Sequence, residues 1–506
     1  MFDILGFATF FERMITNNRL RFEGLKNRIW HILLQPLPLI ITFVLLQLFI
    51  SLLYLHFTFD EAMWEYIGRN WFRNGLTPYA GGVDNKSPLI YVLFGLSDKL
   101  FGVNYFFPRI VGTFCQSLGI FFVYKIAKHL TNKQAGVLSV TVYGLSLLWK
   151  STDGIDVSLT QTYAVTFIII SFYCSITALK GKDFFIAGLI AGLGFGFRFS
   201  AGFGIAAIGI FVLRKNVGFG VLFFTGVITI IFVQTILLHL AGISFSDFLT
   251  YAFTDNFGSD SITDRNFSWR AASFVHGFFY SELVLFYPFI IAYFFINKKI
   301  DFLSTWLICE FIGINILSMY ATAHFKNLLP AFSLMSGIAI SYLVQTYKVP
   351  LKPTILIIWI TFFPKILDPL VGLKKLILPV SLNSEKYCEP PFQQDDFAEK
   401  ELGLWIKTNT TEQQKVFIAG HGAEAQAYSE RQSPTIYFNI TPTKIAQERL
   451  FQDLSTNHPF MIAVPLFPEY NQYVNENIRS FINDLVAKNY VFKTCMYGYN
   501  IYMLKK

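Results

Sequence analysis

Apolar runs of bilayer-spanning length recur along this chain, divided by short polar connections, and that alternation dominates its pattern. A transmembrane helix needs roughly 17–25 consecutive apolar residues. Such runs lie near 31–55, 106–127, 134–150, 159–179, 183–197, 201–213, 217–240, 275–296, 302–321, 328–346 and 353–372, which predicts about eleven spans. The pair 183–213 consists of two short members around a glycine-rich turn with Arg198 and Ser200. The loop 56–105 has a different pattern. "EAMWEYIGRNWFRNG" sets Trp64, Trp71 and Phe72 among polar residues, as in a helix lying in the membrane interface. "SPLIYVLFGLSDKLFG" is apolar but carries Ser97, Asp98 and Lys99, and predicts a second interfacial helix.

After about residue 380 the period changes. "KVFIAG" (415–420), "TIYFNI" (435–440), "FMIAVP" (460–465), "YVFKTC" (490–495) and "NIYMLK" (500–505) read as strands. "TKIAQERLFQDL" and "NENIRSFINDLVAK" have helical periodicity. The chain thus divides into a helical part, 1–379, and a small α/β domain, 380–506. In "AGHGAEA" a lone GxG after a strand reads as a turn into a helix, since by itself it does not make a phosphate cradle.

Composition sharpens the picture. The 506 residues are 53% hydrophobic, 18% aromatic and only 15% charged, where soluble domains carry about a quarter charged residues. The net charge of +8 invites a nucleic-acid reading, but the basic residues are spread thinly over alternate connections. Arg13, Arg19, Arg21, Lys26 and Arg28 precede the first span; Lys125, Lys128, Lys133, Lys180, Lys182, Arg214, Lys215, Lys298, Lys299, Lys348 and Lys352 follow at every second connection. The others are acidic or mixed. By the positive-inside rule the N-terminus lies in the cytoplasm and the C-terminal domain outside. The first twenty-nine residues are amphipathic, with no A-x-A-like site after them, so no signal peptide is expected. Cys115, Cys174 and Cys309 lie in apolar runs, whereas Cys388 and Cys495 face the outer side, where pairing is open to them. No CxxC or Cys/His cluster supports a structural zinc site.

The candidate chemistry gathers on the outer side. In "HFTFDEAMWEY" a span ends against two adjacent acids, Asp60 and Glu61. Charges at membrane depth are costly and usually functional. Lys86 in "DNKSP" is a cation in the same loop. Asp153 and Asp156 lie between two spans, and "AHFKNLLP" places His324 and Lys326 before another. Asp255, Asp260 and Asp264, with Arg265 and Arg270, occupy the second long loop, where any single acid reads first as a solvated one. Carboxylates and cations converging on one face suit the activation of a hydroxyl acceptor and the holding of an anionic leaving group.

These residues resemble the GT-C superfamily of integral membrane glycosyltransferases, in the bacterial branch of protein O-mannosyltransferases and lipid A aminoarabinose transferases. The resemblance is carried by "FTFDEAMWEYIGRNWFRNGLTPYAGGVDNKSPLIYVLFGLSDKLFG", supported by "HFKNLLPAFSLMSG" and "KVFIAGHGAEAQAYSERQSPTIYF". It implies a polyprenyl-phosphate sugar as donor and a hydroxyl acceptor (glycolipid, lipid A, glycan or protein). It implies Asp60 as the base, with Glu61 beside it and a second acid at Asp153 or Asp156. Lys86 and Tyr79, with Arg198, Arg270, His324 and Lys326, would bind lipid phosphate and sugar. Some relatives have an arginine shortly after the Asp-Glu pair, where "AMW" stands here. A divalent cation near Asp60 is a further implication, drawn from oligosaccharyltransferases, although the motif demands no metal. A bacterial inner membrane is the implied location. Two rival readings are a polytopic flippase of lipid-linked sugars, which normally shows internal repeats, and a ligase or polymerase of whole lipid-linked glycans. Single-sugar against oligosaccharide donors would separate the second from a sugar transferase.

Overall fold

A computed structural model describes residues 34–254, 267–317, 320–363, 388–389, 398–420, 422–439, 443–466 and 476–505. Asp255, Asp260, Asp264 and Arg265 lie outside the described residues. The helical part opens with α1 (Pro36–Leu53), followed by the loop helices α2 (Phe59–Asn74) and α3 (Leu89–Phe101). Then come α4 (Phe106–Leu130), α5 (Lys133–Ser146), α6 (Thr160–Thr177), α7 (Gly181–Phe197), α8 (Ala201–Lys215) and α9 (Val217–Leu240). The second half holds α10 (Phe267–Phe279), α11 (Tyr287–Asn297), α12 (Phe302–Leu317), α13 (Leu329–Thr346) and α14 (Leu351–Phe362).

Among the described residues five helices are long and apolar enough to cross a membrane, or six if one bent pair counts as a span. The protein is a multi-pass membrane protein. Of the expected spans, 134–150 is shorter as α5, which ends at Ser146, and the part of 353–372 beyond residue 363 lies outside the described residues. The expected span 275–296 is broken: α10 and the following helical stretch meet at 48°. The break has a local cause. Ser281 turns its hydroxyl onto the Gly277 carbonyl and accepts the Leu283 N–H, and Pro288 sits in the first turn of α11, where its missing N–H costs nothing.

The helices bury one continuous core, and α13 is the most enclosed of the spans. α7 presents Gly188, Gly192 and Gly196 in a stripe to α9. A Cβ on Gly188 would stand 2.0 Å from the Phe223 carbonyl oxygen, so the two helices touch backbone to backbone. Small residues at every fourth position permit this approach in membranes.

The C-terminal unit adds α15 (Ala398–Asn409), β1 (Val416–Ile418), α16 (Ala423–Ser429), α17 (Lys444–Thr456), β2 (Met461–Pro465), α18 (Glu476–Asn489), β3 (Tyr490–Met496) and β4 (Tyr499–Leu504). Its strands run in the order β1-β2-β4-β3, with β1 and β2 parallel and the other pairs antiparallel. Strand alternation feeds two cores. Phe417 and Ile462 face Leu450, Leu454, Ile478 and Ile482 of α17 and α18. Val416, Ile418, Met461 and Ala463 face Leu402 and Ile406 of α15. A disulfide joins Cys388 to Cys495.

The expected strand 435–440 is not one. The Val83 N–H donates to the Ile436 carbonyl at 3.0 Å, and the Phe438 ring lies 4.2 Å from that of Tyr66. The run is laid against the first loop rather than the sheet. Aromatic residues that alternate as in a strand are here the docking surface between the two parts of the chain.

Candidate active site

Asp60 owes its place to a helix start. Thr58 is the N-cap of α2: its Oγ1 accepts the Glu61 N–H at 3.4 Å, and Glu61 Oε2 accepts the Thr58 N–H at 2.8 Å, a reciprocal capping box. Asp60 therefore stands in the first turn, where the helix dipole favours an acid. Its carboxylate accepts no hydrogen bond among the described residues. Burial pushes its pKa above the ordinary carboxylate value, opposed by Lys86 and Arg198 and reinforced by Asp84 and Asp153. Four residues from three separate stretches thus act on one carboxyl.

The adjacent acid does different work. Glu61 is 1% exposed and holds Arg109 through two hydrogen bonds, Nε to Oε1 at 2.9 Å and Nη2 to Oε2 at 2.6 Å. Ser158 donates to it as well. Arg109 in turn donates to the carbonyls of Ser51, Tyr54 and His56, closing the end of α1. The Arg109 guanidinium and these hydrogen bonds hold Glu61 below its usual pKa, although burial works against them. Expected beside Asp60 as part of the chemistry, Glu61 has both oxygens committed and positions the helix start.

Lys86 lies 20% exposed on the loop between α2 and α3, with its Nζ 3.6 Å from Asp84 Oδ1. Asp84 also accepts the Trp64 indole N–H at 2.9 Å. Tyr79 and Tyr91 both donate to the Lys86 carbonyl, at 3.1 and 3.3 Å. Tyr79, expected to touch substrate, thus pins the backbone of the lysine.

The second acids sit on the turn between α5 and α6. A Cβ on Gly112 of α4 would lie 2.1 Å from the Val157 carbonyl oxygen, so the turn rests directly on that helix. Lys326 clamps it from the other side, donating to the carbonyls of Asp153, Gly154 and Asp156 and, at 2.6 Å, to Thr162 Oγ1. Lys326, expected as a substrate ligand, thus binds the turn that carries the second acids. Asp153 accepts the Thr322 hydroxyl, and burial raises its pKa. The Asp156 carboxylate accepts no hydrogen bond among the described residues; burial, then Asp153 and Glu61, push it up to about 7.

Arg198 is the C-cap of α7, bonded to Ser200 Oγ at 2.8 Å and Thr160 Oγ1 at 3.2 Å. It lines a small cavity with His324, Asn327 and Glu310. Arg270 is exposed at the start of α10 and has no described contact with the acids. Asp60, Lys86, Arg198 and Asp153 are thus brought together, and Arg270 is not. Sequence reasoning missed Arg109 and Asp84. Arg109 had a signal, a lone arginine in the apolar run "FFPRIVG"; Asp84 lay inside the quoted loop, but its role needs Trp64 and Lys86 in three dimensions. For the implied divalent ion, the described residues contain no group of three or more His, Cys, Asp or Glu fit to hold a metal.

Residues 85–243 match the model of the dolichyl-phosphate-mannose-protein mannosyltransferase family. The fold matches that of ArnT from Cupriavidus metallidurans bound to undecaprenyl phosphate, with a TM-score of 0.61 and 12% identity over 92% of this chain and 97% of that one. This is a GT-C fold. The apo state of the same ArnT matches with a TM-score of 0.62 and 11% identity, again covering 92% of this chain and 97% of that one. The archaeal oligosaccharyltransferase AglB from Archaeoglobus fulgidus, in complex with an inhibitory peptide and a dolichol-phosphate, matches at 0.52 and 9% identity over 92% of this chain and 74% of that one. No curated protein matches the sequence. The GT-C resemblance read from the sequence is met by both the family model and the fold. The matched segment begins at Asn85, so it takes in Lys86, Asp153, Asp156 and Arg198 and leaves Asp60 just upstream.

Proposed function

We propose that this protein transfers a sugar from a polyprenyl-phosphate donor to a hydroxyl acceptor at the outer face of a membrane. The observation that carries the reading is the Asp60 carboxyl, free of hydrogen bonds among the described residues and under the charges of Lys86 and Arg198. The solved relatives bear on it in kind: one holds undecaprenyl phosphate and another a dolichol-phosphate with a peptide.

In this mechanism Asp60 takes the proton of the acceptor hydroxyl as its oxygen attacks the anomeric carbon. The bond from that carbon to the phosphate oxygen breaks, and polyprenyl phosphate leaves. Lys86 and Arg198 offset its charge, as cations do for a departing anion. One direct displacement inverts the anomeric centre. Asp153 and Asp156 border the same space and orient the acceptor or sugar. No step is routed through a metal.

About eleven spans, with the N-terminus in the cytoplasm and the C-terminal unit outside, give the topology of this proposal. Two observations support it. The lysines assigned to the inner side meet helix ends remote from Asp60, with Lys133 on Gln35 and Lys215 on the Ser175 carbonyl. The disulfide in the C-terminal unit suits an oxidising compartment. A bacterial inner membrane is the proposed location.

The test is transfer by the purified protein from polyprenyl-phosphate sugars. Asp60→Asn should lower the rate by about 10²-fold or more, and donor should accumulate in cells carrying it. Near-normal transfer by that variant would overturn Asp60 as the base.

A further inference from the structure

The connection between α1 and α2, residues 54–58, has no regular structure of its own, yet it sets where Asp60 stands. Its backbone is pinned from two sides. Arg109 of the bundle takes the carbonyls of Tyr54 and His56. The C-terminal unit takes what lies between them. Lys400 Nζ donates to the Leu55 carbonyl at 3.0 Å, and the Phe57 N–H donates to Glu424 Oε1 at 3.1 Å. The same oxygen lies 3.5 Å from His56 Nδ1. The Phe57 ring is 1% exposed, packed between Tyr105 at 5.9 Å and Tyr428 of α16 at 5.1 Å. Glu424 itself is 7% exposed, in the "AGHGAEA" segment that follows β1.

A carboxylate buried to this degree costs free energy unless its partners offset it, and Glu424 directs that interaction onto the His56 ring and the Phe57 N–H, three to four residues before Asp60. We propose that Glu424 is a positioning residue for Asp60: the C-terminal unit, through Glu424 and Phe57, fixes the start of α2 so that the base stands at the acceptor. This rests on the reading of Asp60 as the base. A misplacement of about 1 Å in such a group can cost about 10²-fold in rate. The C-terminal unit is therefore part of the catalytic apparatus without touching substrate, and its docking decides whether the membrane part is competent.

The test uses the full-length protein with a polyprenyl-phosphate sugar, in three forms: wild type, Glu424→Ala and Glu424→Gln. The glutamine keeps an oxygen that can accept the Phe57 N–H. Glu424→Ala should lower kcat by about ten-fold with the donor KM unchanged, and Glu424→Gln should recover to within about three-fold of wild type. Hydrogen exchange gives a readout independent of turnover. Amides of the peptide 54–62 should exchange faster in Glu424→Ala and at the wild-type rate in Glu424→Gln, while those of 133–146 stay unchanged in both. Wild-type kcat or wild-type exchange in Glu424→Ala would overturn the proposal. So would alanine and glutamine variants that fail alike, which would mean that the unit contributes bulk stability only. Asp60→Asn runs beside them: if it turns over like wild type, the reading of Asp60 fails, whereas a dead Asp60→Asn with a fully active Glu424→Ala sinks the tether alone.

Discussion

Adjacent acids at the start of α2 have opposite fates because their partners differ. Glu61 is paired, so breaking its pair leaves a buried charge alone. Removing one partner of a buried ion pair typically costs about 3–5 kcal/mol, and Arg109→Met should lose about that much stability, seen as a large fall in the thermal midpoint in detergent. Asp60 is the reverse case. Burial raises its pKa, so its ionised form weakens the fold relative to the unfolded chain. Asp60→Asn should therefore be at least as stable as wild type while inactive, and a thermal midpoint well below wild type would contradict this. The activity of the wild type should rise with pH through a midpoint above the ordinary aspartate range as Asp60 ionises. Asp156, pushed up to about 7, gives a stability signature of definite sign. Its folded pKa lies above its unfolded one, so the stability it contributes is fully present below about 4 and is lost as pH rises to about 7. Asp156→Asn should flatten that decline in melts taken between pH 4 and 8.

At the level of elements, the site depends on close contacts the chain cannot widen cheaply. A side chain at Gly112 would push on the Val157 carbonyl and move the turn with Asp153 and Asp156. A side chain at Gly188 would meet the Phe223 carbonyl and part α7, which ends in Arg198, from α9. Overpacking of this kind costs roughly 1–3 kcal/mol. Gly188→Val should show that loss in thermal melts together with reduced transfer, because Arg198 is carried on the displaced helix. The disulfide works at this scale too. Cys388 and Cys495 are 107 residues apart in sequence, and removing a native disulfide costs about 2–5 kcal/mol. Cys495→Ser should make the C-terminal unit protease-sensitive before the bundle; sensitivity equal to that of the wild type would argue against that role.

Over the whole molecule, sidedness is the property to test. With an impermeant thiol reagent on intact cells, a cysteine at exposed Lys493 should label, and one at exposed Lys182 only after the membrane is opened. Labelling in the opposite sense would reverse the topology and place Asp60 on the cytoplasmic face.

Much of this architecture was legible in the chain. Apolar runs mark helices because the bilayer forbids unsatisfied backbone, and helices α4, α6, α7, α9 and α13 stand close to where hydropathy put them. That the first loop carries two helices, α2 and α3, was legible in its two quoted runs, and Asp60 stood out as an acid at the end of a span. These are local signals, set by the solvent each segment meets. What the sequence did not reveal are relations between distant segments: Arg109 taking Glu61, Lys326 closing the turn of Asp153 and Asp156, "TIYFNI" docking on the first loop instead of joining the sheet, and Glu424 reaching Phe57. A period along one segment reports which face is buried, but not what covers it. Which acid stays unpaired and which is neutralised was therefore decided only when tertiary structure brought the partners together.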